Sequence, residues 1–366
     1  MSKKKVKIIS FVGARPQFIK LAPLAVRLQE AYHHLIIHSG QHYNYNLSGA
    51  FFDQLKIPKP DKNLNIGSGN HGWQTGQILE KFERLLLSER PDMVLIYGDT
   101  NTTLAGALAA SKLHIPVGHV EAGLRSFVPT MPEEINRRVA DHLSELLFYP
   151  TPTARRNLLG EGLSKGLIRS GDLMYEILDA QMKKIKGNRE IFAKHKIEKN
   201  RYFLITLHRA ENADSPERLN RFIKILNAIS GVKLFPAHPR TVKNLRKFKL
   251  YQDLKKVNNL RIIEPVSYHE LLGLMAFARA VLTDSGGMQK EAYFLGCPCL
   301  TLRNETEWVE TVEKGANTLV DMSPARVSMA LKKIKKSRRR FNYLINGKKP
   351  SQVIRLAIDN YLKKSQ

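Results

Sequence analysis

The chain has 366 residues, of which 43% are apolar and 25% are charged, and its 59 Lys and Arg against 33 Asp and Glu give a formal net charge of +26. Its length allows two cores of ordinary domain size, and apolar residues spread along the whole chain exclude a disordered protein. The two cysteines, Cys297 and Cys299, lie too close together to form a disulfide scaffold, so we expect both to be reduced packing residues.

The membrane and targeting signals are weak. No uninterrupted apolar run approaches the roughly 18 residues that cross a bilayer. The stretch from Lys3 to Val12 imitates a short signal peptide, but Arg15 and Lys20 interrupt it and no cleavage site follows. We therefore expect a cytoplasmic protein without membrane insertion.

Short β-branched runs alternate with amphipathic stretches along the chain. The first helices are predicted over 17–31, 76–88, 102–112 and 133–146. Ten strands are predicted, at Val6–Val12, His34–His38, Met93–Tyr97, Pro116–Val120, Leu146–Tyr149, Tyr202–Leu207, Lys233–Pro236, Arg261–Ile263, Ala280–Thr283 and Cys299–Leu302. Such alternation predicts an α/β fold with parallel sheets covered by helices on both faces. It weakens around residues 172–200, which predicts two Rossmann-like doubly wound domains, 1–175 and 176–350, with a ligand in a central cleft.

Acidic residues follow the predicted strands of the first domain. Asp99 follows one strand, Glu121 follows the next, and Glu133 opens a helix with Arg137 four residues later. Carboxyl ends of parallel strands share one crevice, so these acids should converge and could divide acid and base roles. The alternative is that Asp99 caps a helix and Glu133 forms an ordinary pair with Arg137.

Two strand–helix turns suit a phosphate. The first, Gly13–Gln17, combines backbone amides with the cations of Arg15 and Lys20. The second contains Ser285, Gly286 and Gly287, where Ser285 can cap the helix and the glycines let a ligand approach free amides. Glu291, one helical turn further on, could reach a ribose diol. A glycine-rich strand–helix turn without a ligand is the common alternative.

Two histidines follow strands of the second domain. His208 and His238 occupy equivalent carboxyl strand ends, which favours a functional role over a structural one. The His, Asp and Glu spacings predict no metal site. There is also no dinucleotide fingerprint and no Walker sequence.

The motifs together identify a family. Seven segments occur in the order and spacing of the non-hydrolysing UDP-N-acetylglucosamine 2-epimerases, which the chain closely resembles: Gly13–Lys20 (GARPQFIK), Ser39–His42 (SGQH), Gly98–Thr100 (GDT), His119–Arg125 (HVEAGLR), Pro132–Arg137 (PEEINR), Leu207–Arg209 (LHR) and Asp284–Gly287 (DSGG). The resemblance runs from about residue 6 to residue 320. It implies a GT-B-like fold in which the terminal helix, 351–366, packs back on the first domain, and a homodimer.

The resemblance also implies the chemistry. The family inverts C2 of a UDP-2-acetamido sugar by eliminating and re-adding UDP, with no cofactor and no metal. It gives Asp99, Glu121 and Glu133 the acid/base roles and assigns Arg15, Lys20 and His208 to the phosphates. Ser285, Gly286 and Gly287 would hold the diphosphate and Glu291 the ribose, while Arg137 would orient or balance Glu133.

One motif departs from the family pattern. Many enzymes acting on UDP-N-acetylglucosamine carry T-E-R-P-E where this chain has Thr306–Glu310 (TEWVE), so Trp308 replaces a substrate-contacting arginine. The Trp form is similar to relatives acting on UDP-2,3-diacetamido-2,3-dideoxy-glucuronate, which leaves the sugar open. The alternative is that Trp308 packs under the nucleotide while other residues supply the cation.

Two other functions compete with epimerisation. A GT-B glycosyltransferase would share the fold and the diphosphate turn but would not require the acid cluster. Nucleic-acid binding is suggested by the charge, since residues 331–366 hold twelve Lys or Arg and one acid. No helix-turn-helix, zinc-finger or RNA-binding pattern accompanies that charge, so we expect no nucleic-acid partner.

Overall fold

The structure is a computed structural model that describes residues 5–41, 59–185, 190–334 and 345–364, without the side chains of Arg15 and of residues 183–185. The chain forms two compact units: unit 1 comprises Met1–Ile177 and Asn342–Gln366, and unit 2 comprises Leu178–Phe341. Within the described ranges, no helix has both the length and the apolar character required to span a membrane.

Unit 1 contains a seven-stranded parallel sheet with the order β3-β2-β1-β4-β5-β6-β7. Its strands are β1 (Lys7–Val12), β2 (His33–His38), β3 (Lys62–Asn63), β4 (Met93–Tyr97), β5 (Val117–Val120), β6 (Leu146–Tyr149) and β7 (Leu167–Arg169). The first helices of the chain are α1 (Arg15–Ala31), α2 (His71–Glu89), α3 (Asn101–Lys112), α4 (Pro132–His142), α5 (Pro152–Gly160) and α6 (Leu173–Ile185).

The register of this sheet brings two functional turns together. Tyr97, the last residue of β4, pairs with Val120, the last residue of β5. The residues that follow each strand, Gly98 and Glu121, therefore emerge side by side at the same sheet edge.

Unit 2 contains a six-stranded parallel sheet with the order β10-β9-β8-β11-β12-β13. Its strands are β8 (Tyr202–Ile205), β9 (Val232–Pro236), β10 (Leu260–Ile263), β11 (Ala280–Thr283), β12 (Cys299–Thr301) and β13 (Asn317–Leu319). The next helices are α7 (Glu190–Lys194), α8 (Ala210–Ala213), α9 (Pro216–Ala228), α10 (Pro239–Lys247), α11 (Tyr251–Lys255), α12 (Tyr268–Ala276), α13 (Gly286–Leu295), α14 (Val309–Glu313) and α15 (Pro324–Lys333).

Alternate residues of β8 enter different cores. Phe203 and Ile205 belong to one apolar cluster, and Tyr202 and Leu204 belong to another. A strand that is buried on both faces needs helices on both sides of its sheet, which explains the near-continuous apolar run in the sequence. The predicted α/β fold with doubly wound parallel sheets is confirmed.

The last helix, α16 (Pro350–Lys364), packs on α1 within unit 1. Arg27 Nε donates to Ser351 Oγ at 2.7 Å, and the Tyr32 hydroxyl donates to Asp359. Glu176 of α6 accepts the Ser351 hydroxyl at 2.8 Å. Of the basic segment 331–366, residues 335–344 and 365–366 lie outside the described residues.

Candidate functional site

Glu121 and Lys20 form a buried ion pair in unit 1. Glu121 follows β5, Lys20 lies on α1, and the Lys20 ammonium donates to Glu121 Oε2. The sequence predicted an acid/base role for Glu121 and a phosphate-binding role for Lys20. Glu121 has φ of +75°, a left-handed conformation that is uncommon for a residue with a side chain. Such strained positions cluster at functional sites because the surrounding structure must enforce them.

Gly98 lies directly over this pair. It has φ of +63°, and a Cβ added there would stand 3.2 Å from Lys20 Nζ and 3.6 Å from Glu121 Oε2. The turn after β4 therefore needs glycine both for its backbone and for the approach to the ammonium.

Gly98→Ala is expected to lower turnover about tenfold, because the new methyl group displaces the Lys20 ammonium. The left-handed backbone should also cost about 1 kcal/mol of stability. Steady-state rates and urea midpoints would measure both effects. Gly76→Ala is the matched control: Gly76 lies in α2 with open space around it, so that variant should keep its turnover and gain stability. Equal rates for the two variants would contradict the close approach at Gly98.

Arg137 joins two acids on neighbouring elements. Its Nη2 donates to Asp99 Oδ2 at 2.5 Å, and its Nη1 donates to Glu134 Oε2 at 3.3 Å. Glu134 is buried and also accepts the backbone N–H and hydroxyl of Ser126, both at 2.8 Å. Arg137 therefore pairs with Asp99 and Glu134, and its expected role toward Glu133 stays a prediction. Glu134 and Arg137 share the buried face of α4, whereas Glu133, in the first turn, is partly exposed.

A buried network supports these turns. His119 Nδ1 bonds Asp141 Oδ1 at 2.7 Å, and His119 Nε2 donates to the Gly98 carbonyl, also at 2.7 Å. Asp141 further accepts from Arg125 Nη1 at 2.7 Å. Arg125 in turn makes two hydrogen bonds to Glu161, at 2.8 and 2.6 Å. Burial raises the pKa of Asp141, but its bonds with His119 and Arg125 outweigh that effect and lower it.

Asp172 is a carboxylate at this site that the sequence analysis did not identify. It lines a small cavity of unit 1 together with Lys20, Glu121 and Gly171. Asp172 is 6% exposed, and its Oδ1 accepts the Met174 N–H at 2.9 Å at the start of α6. Its position three residues after β7, at another carboxyl strand end, is the signal that could have revealed it.

The turn between β11 and α13 carries the predicted diphosphate residues of unit 2. Ser285 caps α13, because its Oγ accepts the Met288 N–H at 3.4 Å. Ser285, Gly286 and Gly287 are all partly exposed, whereas Glu291 on the same helix is buried. The turn therefore presents backbone amides at a helix N-terminus, as anion binding requires.

Side chains of opposite charge surround Gly286. A Cβ added there would lie 3.5 Å from Glu307 Oε2, 3.9 Å from Arg209 Nη2 and 3.9 Å from Trp308 Nε1. Trp308 is 7% exposed, and the Lys290 ammonium lies 3.8 Å from its ring centroid. Trp308 therefore packs beside the turn that carries Gly286, with Arg209 and Lys290 as nearby cations.

The two predicted histidines are neighbours. The rings of His208 and His238 lie 5.7 Å apart, and His208 Nδ1 lies 3.1 Å from Asp284 Oδ1. His238 Nδ1 accepts the Arg240 N–H at 3.2 Å and so caps α10. Burial, His208 and Arg240 together lower the pKa of His238, which favours its neutral imidazole.

Arg15 begins α1, but its side chain lies outside the described residues. Across the described ranges, no group of three or more His, Cys, Asp or Glu side chains is arranged to hold a metal ion.

Known proteins similar to this chain in sequence are named as 2-epimerases of UDP-sugars. A family sequence profile described as UDP-N-acetylglucosamine 2-epimerase matches residues 25–352. A Methanococcus maripaludis protein named UDP-N-acetylglucosamine 2-epimerase homolog is 51% identical over 339 residues, which cover 92% of this chain and 95% of that protein. The Pseudomonas aeruginosa UDP-2,3-diacetamido-2,3-dideoxy-D-glucuronate 2-epimerase is 45% identical over 325 residues, 86% of this chain and 88% of that enzyme.

A solved structure shows the same likeness in three dimensions. The Methanocaldococcus jannaschii UDP-GlcNAc 2-epimerase, in complex with UDP-GlcNAc and UDP, matches with a TM-score of 0.88 and 45% identity. The match covers 96% of this chain and 99% of that one. The chain therefore belongs to the UDP-N-acetylglucosamine 2-epimerase family, whose members are isomerases.

Proposed function

We propose that this protein catalyses the reversible C2 epimerisation of a UDP-2-acetamido sugar, with UDP-N-acetylglucosamine and UDP-N-acetylmannosamine as its pair of substrates. The observation that carries the proposal is the placement of Asp99 and Glu121 on adjoining turns at one sheet edge, with Lys20 of α1 paired to Glu121. Epimerisation at this carbon needs at least two acid/base groups, and this edge supplies clustered carboxylates with cations beside them.

The chemistry explains why carboxylates and cations are needed together. The C2 proton has no adjacent carbonyl, so direct removal would be very slow. Elimination avoids that step: a base takes the C2 proton, a C1–C2 double bond forms, and the electrons of the C1–O bond leave with UDP. UDP then adds back at C1 while a proton reaches the opposite face of C2. Positive charge must stabilise the diphosphate as it departs.

The residues divide between these tasks. We assign proton transfer to Asp99, Glu121 and Glu133, with Arg137 holding Asp99 through its 2.5 Å bond. Lys20 and Arg15 supply cations from unit 1. In unit 2, the amides at Ser285, Gly286 and Gly287 bind the diphosphate, Glu291 binds the ribose, and His208 and His238 contact the phosphates.

A substrate panel tests the identity of the sugar. We expect the purified protein to interconvert UDP-N-acetylglucosamine and UDP-N-acetylmannosamine. Proton NMR of the C1 and C2 signals would follow the reaction. The second candidate, UDP-2,3-diacetamido-2,3-dideoxy-glucuronate, is favoured by Trp308 standing where T-E-R-P-E sequences have arginine. Turnover of that sugar alone would show that Trp308 marks the specificity. Transfer of a sugar to an acceptor without C2 exchange would show a glycosyltransferase instead.

The assembly and the pathway are further parts of the proposal. The family resemblance supports a homodimer and a role in supplying precursors of surface polysaccharides. Sedimentation equilibrium would test the dimer, and a single species at the 41.6 kDa mass of one chain would contradict it.

A further inference from the structure

We propose that Asp284 is a positioning residue for His208, holding the imidazole with a proton on Nδ1 and with Nε2 directed away from the carboxylate. The inference rests on the function proposed above, in which His208 meets the diphosphate. Asp284 directly precedes the glycine-rich turn, and only the three residues after it were expected to hold the diphosphate.

Asp284 is completely buried and holds the loop that follows β8. Its carboxylate accepts the backbone N–H of His208 at 3.1 Å and that of Arg209 at 3.0 Å. It also accepts the Asn212 side-chain amide at 3.1 Å and faces His208 Nδ1 at 3.1 Å. Both the backbone and the ring of His208 are therefore fixed by one carboxylate.

The chemistry of the partners sets the tautomer. Burial raises the pKa of Asp284, but hydrogen bonds from His208 and Asn212 outweigh it and bring that pKa to about 2. An ionised carboxylate only accepts hydrogen bonds, so the ring nitrogen that faces it must carry a proton. Nε2, at the far side of the ring, is left to face the ligand.

Neighbouring groups keep this arrangement in place. Asn212 Oδ1 accepts Arg218 Nε at 2.7 Å, which directs the amide nitrogen of Asn212 toward Asp284. Arg218 is itself held by Asp321 at 2.9 Å. His238 directs its Nδ1 to the Arg240 N–H instead of to Asp284. The Arg209 guanidinium lies 3.8 Å from Glu307, so its charge is directed toward that carboxylate and not toward Asp284.

The arrangement matters when UDP departs. Negative charge develops on the diphosphate as the C1–O bond breaks. With Nδ1 protonated toward Asp284, Nε2 is the ring nitrogen that can take up a proton from solvent. The ionised carboxylate then stabilises the imidazolium, which donates through Nε2 to the departing diphosphate in a fixed orientation. His208 is 39% exposed on its side chain, so it is accessible to a ligand while its other face is held by Asp284.

The ligand-free protein provides the first test. Long-range ¹H–¹⁵N NMR of the histidine side chains in the full chain should show His208 protonated at Nδ1 at neutral pH. His208→Asn identifies that signal among the 12 histidines, because it removes only one of them. In Asp284→Asn the carboxamide can donate to Nδ1, so the ring should change to the Nε2-protonated tautomer. An unprotonated Nδ1 in the wild-type protein would overturn the proposal, even if the variant failed to fold.

Kinetics provide the second test. Asp284→Asn should lower kcat about 100-fold while KM changes much less, because the interaction that is lost stabilises the charge on the departing diphosphate. Asp253→Asn removes an exposed carboxylate of α11 and should leave both constants unchanged. Wild-type kcat in Asp284→Asn would overturn the proposal. A wild-type protein inactive on every UDP-sugar would contradict the proposed function instead, and the NMR result would still decide the role of Asp284.

Discussion

Glu121→Gln is expected to lower epimerisation about 1,000-fold while the protein stays folded. Gln has nearly the same shape as Glu, and its carbonyl oxygen can still accept from Lys20, so the turn after β5 should persist. The substitution removes the capacity to exchange a proton with C2. Steady-state kinetics would measure the loss, and C2 deuterium exchange would show that the proton-transfer step is affected.

Two comparisons make this result specific. UDP binding by isothermal titration calorimetry should change little, since the Lys20 ammonium remains in the variant. Glu80→Gln is the matched control, because Glu80 is half-exposed on α2 and makes an exposed pair with Arg84. Near-normal turnover in Glu121→Gln would remove Glu121 from the acid/base set.

Arg125→Leu is expected to lower the free energy of unfolding by about 3–5 kcal/mol. Arg125 is 1% exposed and lies between the carboxylates of Asp141 and Glu161. Removing its charge leaves Asp141, which is completely buried, with one fewer cation. Asp141 also holds His119 and the Gly123 N–H. The destabilisation should therefore extend to the two turns that carry Gly98 and Glu121.

Urea unfolding would measure this stability change. Arg84→Leu provides the control, since Arg84 makes an exposed pair with Glu80 and should change stability by less than about 1 kcal/mol. A loss below about 1 kcal/mol in Arg125→Leu would show that the buried network is not needed to hold the two turns.

Local sequence patterns predicted the elements well. All ten expected strands are present, because apolar β-branched runs buried on both sheet faces are the clearest signal that a strand can give. Three strands, β3, β7 and β13, were not predicted. They are two or three residues long at the sheet edges, and β3 consists of two exposed polar residues, Lys62 and Asn63.

Contacts between distant residues were harder to predict. Parallel topology predicted that acids at strand ends would converge, and Asp99 and Glu121 do follow the adjacent strands β4 and β5. The ion pair between Lys20 and Glu121 joins residues 101 positions apart, so no local pattern contains it. Helical spacing pointed to Glu133 as the partner of Arg137, four residues away. The pairing with Glu134, three residues away, depends on which of the two adjacent glutamates faces the core.

The buried supporting residues carry the weakest sequence signal. His119 lies within β5, where it looks like any other inward-facing strand residue, and Asp141 lies at the end of an amphipathic helix. Their importance follows only from the bonds that reach Gly98 and Gly123. Asp284 is similar, since its partners His208, Arg209 and Asn212 lie between β8 and the end of α8, 72 to 76 residues earlier in the chain.

The most direct test of the account is solvent exchange at C2. The purified protein would be incubated with UDP-N-acetylglucosamine in D₂O without any acceptor, and the C2 proton followed by NMR. Elimination and re-addition predict that the C2 proton signal disappears from both epimers as the mixture approaches equilibrium. Formation of the manno epimer with its C2 proton retained would contradict proton removal at C2, and with it epimerisation by elimination and re-addition.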